Sequence, residues 1–212
     1  RMLSFPFILH PIIGIIATVV AHRAVKGNGL LPNLGRWSPL ASLAILLVLM
    51  VVALAVLWPT LRMGIWLDEY LSIHSSTGDN VISVITSGFG RQDDYHPPLF
   101  YVVLNVWMKF FGSGDLSVKF PSVIFGLITI PVAYGLGRVS HSKRVGMLTA
   151  LFCAISPLAQ FLAGQCRGYA LAGLLSAIAL TAYIALQKNI GNRSVSTFAF
   201  LAAAISIAAL CY

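Results

Sequence analysis

Apolar and polar positions along this chain fall into long blocks rather than into short alternating runs. Residues 40–58 are apolar but for Ser42, and comparable blocks occupy 118–136, 146–164, 168–186 and 195–212. About 20 apolar residues cross the ~30 Å hydrocarbon core of a bilayer, so each block predicts a transmembrane helix. The last three are rich in Ala, Gly and Ser, which suits close helix packing in lipid. Two further stretches are shorter. Residues 5–21 are apolar except for His10 and Thr18, carry Pro6 and Pro11, and either cross, re-enter or lie at the interface. Residues 99–111 reach only about 20 Å as a helix and contain Asn105 and Lys109. They predict an amphipathic helix lying on the membrane surface, with Tyr101, Trp107 and Phe110 at the interface.

Composition turns these blocks into a class. The chain is 58% apolar and 9% charged, against about 25% charged for a soluble domain. Too few polar residues remain to cover a water-facing globule, so the expectation is an all-α, polytopic integral membrane bundle. The net charge of +8 would suit nucleic acid in a soluble protein. Here the basic residues sit in short loops between apolar blocks, so orientation in the membrane accounts for them and no nucleic-acid partner is expected. Arg23, Lys26 and Arg36 mark residues 22–39 as a cytoplasmic connector. If residues 99–111 do not cross, then Arg138, His141, Lys143, Arg144, Lys188 and Arg193 are also cytoplasmic, and Gln165 to Arg167 lie outside. The chain divides into an N-terminal segment and connector, 1–39, and a transmembrane module, 40–212, whose outer loop spans 59–117. Cys153, Cys166 and Cys211 lack metal-like spacing and read as packing residues. The chain starts at Arg1, and its last apolar block runs to Tyr212 with no polar segment after it. It is therefore expected to be part of a longer protein.

The polar exceptions concentrate in one place. All six carboxylates, Asp68, Glu69, Asp79, Asp93, Asp94 and Asp115, lie between residues 68 and 115. Asp68 and Glu69 point in different directions on a helix, so they divide roles rather than share a proton. One suits a general base on an acceptor hydroxyl and the other a donor group or a metal. The competing reading is a solvated pair at a helix N-terminus, which favours acids. His96 precedes Pro97-Pro98, which hold it at the mouth of the interfacial helix, where it suits a phosphate or a metal, or where Pro-Pro simply starts the helix and His96 caps it. Asp93 and Asp94 are further candidates for a divalent ion or for substrate, although no cofactor is demanded by the pattern. Arg167 lies outside beside the bilayer and needs a partner; a lipid phosphate fits its fork, and a snorkelling anchor or an ion pair with a loop acid is the alternative. Tyr169 is its companion or a belt aromatic. Lys119, at the outer start of its span, carries the same two readings as Arg167.

In their order these motifs resemble the GT-C membrane glycosyltransferases, in particular the protein mannosyltransferases and lipid A aminoarabinose transferases. The matching features are Leu67-Asp68-Glu69, His96-Pro97-Pro98-Leu99-Phe100-Tyr101, Lys119-Phe120-Pro121-Ser122, Phe125-Gly126, Ser156-Pro157, and Gln165-Cys166-Arg167-Gly168-Tyr169. The resemblance implies inverting transfer of a sugar from a polyprenyl-phosphate donor to an acceptor on the periplasmic or lumenal face, most simply at a bacterial inner membrane. It implies Asp68 as base, Glu69 assisting, and His96 and Arg167 near the donor phosphate, with Lys119, Tyr101 and Tyr169 as further substrate contacts. Membrane lipid and a lipid-linked sugar are the expected partners. The rival reading is a non-catalytic membrane subunit of this fold, packed with other subunits in a larger complex. A small transporter has less support, because no charged residue falls in mid-membrane.

Overall fold

The computed structural model describes residues 38–90, 97–188 and 193–211, which form helices and connecting turns, with no strand among them. The helices are α1 (Pro39–Leu61), α2 (Leu67–Ser76), α3 (Val81–Gly90), α4 (Leu99–Phe111), α5 (Asp115–Ser140), α6 (Lys143–Ile155), α7 (Pro157–Ala163), α8 (Tyr169–Lys188) and α9 (Arg193–Cys211). The segment 5–21, the basic connector as far as residue 37, and Asp93, Asp94 and His96 lie outside the described residues.

Among the described residues α1, α5 and α8 are long and apolar enough to cross a membrane. Each starts or continues for a local reason. The Ser38 hydroxyl accepts from Ala41 N (3.2 Å) and Pro39 occupies the first turn, where its missing N–H costs nothing. The helix runs through Pro59 to Leu61. Leu40, Leu43, Leu47, Val48 and Val51 on α1 are exposed, as a lipid-facing surface requires.

The block at 146–164 is not one straight helix. It breaks at Ser156 into α6 and α7, which meet at 60°. Pro157 cannot donate to the preceding turn, Ser156 caps the new helix through Ala159 N (3.3 Å), and Gln160 Nε2 donates to the freed Ala154 carbonyl (2.6 Å). The pair counts as a fourth span if the break is allowed. The fifth expected span is covered by α9, a helix of 19 residues.

Helix α4 occupies the residues expected for the surface helix, Leu99–Phe111. Phe110 is exposed, but Tyr101 is buried rather than interfacial. Half-buried Trp107 stacks on Phe111 and Phe120 and donates to the Ser117 carbonyl (3.0 Å), which fixes the turn into α5. A core cluster of Val84, Phe100, Tyr101, Leu104, Val118, Cys166 and Leu171 joins α3 and α4 to the first turns of α5 and α8. A second cluster, Leu46, Ala53, Ile130, Ala150 and Ala154, fills the space between α1, α5 and α6.

Candidate functional site

The end of α1, the start of α5 and the turn between α7 and α8 come together at one end of the bundle. The first turn of α2 is tied to that turn through Glu69 and the Asp68 carbonyl. At the opposite end Lys188 closes α5 by donating to the carbonyls of Val139 and Ser140 (2.7 and 2.6 Å), beside Lys143 and Arg144. Asp68 and Glu69 therefore stand at the far end of α5 from that basic group.

Three features of its sequence form α2. Asp68 and Glu69 occupy its first turn, where the helix dipole favours negative charge. Glu69 Oε2 accepts from Trp66 N (3.0 Å), one of the amides a helix start leaves unpaired. Ser72, Ser75 and Ser76 share one small, buried face that lets α2 settle on the bundle.

The two carboxylates separate sharply. Asp68 is exposed, and its carboxylate has no hydrogen bond with the described residues. Glu69 is 2% exposed. Its Oε1 accepts from Cys166 N (2.7 Å) and lies 3.9 Å from Lys119 Nζ. Lys119, expected at a span entrance, is buried, and it donates to the Met63 carbonyl (2.7 Å). Of its two sequence readings the geometry displays the ion pair with a loop acid.

Arg167 is also nearly buried. Its Nη1 donates to the Asp68 carbonyl (2.9 Å) and to Ser72 Oγ (3.2 Å), and its carbonyl accepts from Ser122 Oγ (3.1 Å). Its guanidinium carbon lies 5.6 Å from the centre of the Tyr169 ring, within cation–π range. Beside Arg167 opens a cavity of about 100 Å³ lined by Ser72, Tyr101, Tyr169, Leu171 and Leu175 among others. The structure thus brings Asp68, Glu69, Lys119, Tyr101, Arg167 and Tyr169 to one end of the bundle. Sequence reasoning missed Ser72, Ser122 and the Cys166 amide; the three-serine face of α2 was the available signal. Burial and the neighbouring Glu69 carboxylate push the Cys166 thiol up to about 12. Among the described residues no three His, Cys, Asp or Glu side chains group as a metal site.

A helix-only bundle with membrane-length helices and a polar site at one end defines a polytopic membrane protein. A family model for dolichyl-phosphate-mannose-protein mannosyltransferases matches residues 95–212, more than half of the chain. The chain belongs to that family and is a membrane glycosyltransferase of the GT-C type. No curated protein and no solved structure matches it. The matched stretch begins after Asp68 and Glu69, yet both are tied to it through Cys166 and Arg167.

Proposed function

We propose that the chain transfers a sugar from a polyprenyl-phosphate donor to a hydroxyl acceptor on the periplasmic or lumenal face, with Asp68 as general base. The carrying observation is the hydrogen bond from Arg167, a cavity-lining residue, to the carbonyl of Asp68. It holds an exposed carboxylate and a cation on adjacent pieces of chain at one end of the bundle.

The reaction follows from these charges. Asp68 takes the proton of the acceptor hydroxyl as its oxygen attacks the anomeric carbon. The bond from that carbon to the polyprenyl phosphate breaks from the opposite side, so the product is inverted. Negative charge gathers on the departing phosphate, where a fixed guanidinium stabilises it. Arg167 supplies this, with Tyr101 and Tyr169 lining the space beside it, and the resemblance adds His96. Lipid-facing helices beside the site allow a prenyl chain to stay in the bilayer while its head group reacts. The family match supports a lipid-linked sugar as partner.

Turnover of the full-length enzyme in proteoliposomes, supplied with a polyprenyl-phosphate sugar, tests the base. Asp68→Asn is expected to lower kcat by about 10³-fold, within the usual range for a lost general base, and to leave the donor KM nearly unchanged. Unchanged turnover removes Asp68 from the chemistry, whereas no turnover by the wild type returns the chain to the non-catalytic subunit reading.

A further inference from the structure

We propose that Glu69 and Lys119 are positioning residues: a buried ion pair that clasps the start of α2 to the turn between α7 and α8, and so sets where Asp68 stands, with neither side chain touching a substrate. The inference rests on Asp68 being the group that meets the acceptor.

Glu69 is engaged on both oxygens by the chain itself, Oε1 by Cys166 N and Oε2 by Trp66 N. Lys119 is engaged by the Met63 carbonyl and the Glu69 carboxylate, 3.9 Å away. Each side chain is only 2% exposed, and neither lines the cavity beside Arg167. A carboxylate so enclosed has no route to an acceptor hydroxyl, and an ammonium so enclosed has none to a phosphate.

What the pair does reach is backbone. Glu69 holds Trp66 N, two residues before Asp68, while Arg167 holds the Asp68 carbonyl. The Asp68 backbone is therefore held on one side by Arg167 and on the other by Glu69, which is itself anchored at Cys166 N; Arg167 and Cys166 both lie about a hundred residues later in the chain. Fixing the backbone fixes the origin of a short side chain. Chemistry at an activated hydroxyl is sensitive to this, since a 1 Å misplacement costs about 100-fold in rate. Removing the clasp is expected to cost turnover and to spare donor binding.

The full-length enzyme in proteoliposomes is assayed as wild type, Glu69→Gln, Lys119→Met and the double variant. Lys119→Met leaves a buried carboxylate without its counter-charge and is the variant most exposed to misfolding. The double variant removes both charges together and carries the measurement if the single one fails to fold. Expected are kcat losses of about 10- to 100-fold, a double variant no worse than the poorer single one, and donor KM within about 2-fold of wild type. A donor KM raised about tenfold or more in either single variant, or an unchanged kcat in all three, overturns the proposal. A second readout is independent of the chemistry. In an Asp68→Cys background, the rate at which a water-soluble maleimide labels residue 68 is expected to change several-fold when Glu69→Gln is added. An unchanged labelling rate overturns the clasp whatever Asp68 does. Full turnover by Asp68→Asn alongside altered labelling sinks the base assignment and leaves the clasp standing.

Discussion

Helices α5 and α6 are held together by one means, and the segments around Glu69 by another. At the crossing of α5 and α6 the contact is backbone on backbone. A Cβ built on Gly137 would lie 2.7 Å from the Gly146 Cα, and small residues such as Ala150 and Ala154 continue the seam. Lipid tails are as apolar as the side chains, so shape rather than water-driven burial holds this region. At the site end the contacts are charge-assisted and reach across the sequence: Glu69 to Cys166, Lys119 to Met63, Arg167 to Asp68. One region is held by what is absent from its side chains, the other by paired polar groups. The first gives rigid spans, and the second gives an address for one exposed carboxylate.

The largest effect is expected from breaking the first region. Gly137→Leu must push α6 away, whereas Gly135 has nothing within 4 Å of its own Cβ position. Gly137→Leu is expected to lose about 1–3 kcal/mol or more, as overpacked sites do. Gly135→Leu is expected to stay within about 0.5 kcal/mol. Thermal unfolding of the purified protein in detergent compares them. Equal midpoints would mean that α5 and α6 are not held by this close approach.

A smaller effect is expected at the site end from Asn105. Its Nδ2 donates to the carbonyls of Ser76 (2.8 Å) and Gly78 (2.9 Å), joining α4 to the end of α2. Asn105→Leu strands both carbonyls, at about 1–3 kcal/mol, while it also removes a side-chain oxygen that has no hydrogen-bond partner among the described residues. The lower half of that range is therefore expected in the same unfolding assay. No loss would show that apolar packing around Leu104 alone seats α4.

The two regions also differed in how well the sequence foretold them. Blocks of apolar residues located α1, α5 and α8, and the short length of 99–111 separated α4 from the spans, because length and hydropathy are local properties. The gathering of Asp68, Lys119 and Arg167 at one end followed from counting crossings. The pairing of Glu69 with Lys119 did not, since nothing periodic in a sequence says which buried cation meets which acid. For the same reason Asp68 and Glu69 looked like equals. Only the packing of α2, with its serine face inward, buries one and leaves the other out. The break at Ser156-Pro157 was in plain view as a Pro preceded by a capping residue, but a nearly continuous apolar run concealed it.

The smallest effect is chemical and reads the electrostatics of the clasp. The Cys166 thiol, at about 12, is held neutral first by burial and then by the Glu69 carboxylate; Lys119 and Arg167 pull the other way. At pH 8 only about one thiol in 10⁴ is ionised, against roughly a quarter for an ordinary cysteine near 8.5. In a Cys153→Ser, Cys211→Ser background, maleimide labelling of Cys166 followed by mass spectrometry should be very slow at pH 8. It should rise about tenfold per pH unit with no plateau below pH 11. The signs for the variants are opposite. Glu69→Gln removes a negative charge that penalises the thiolate, so the thiol's pKa falls and labelling speeds up. Lys119→Met removes a stabilising positive charge, so the pKa rises and labelling slows. If both variants speed labelling equally, loosened packing rather than charge controls the thiol, and the polar clasp would differ less from the glycine seam than their contacts suggest.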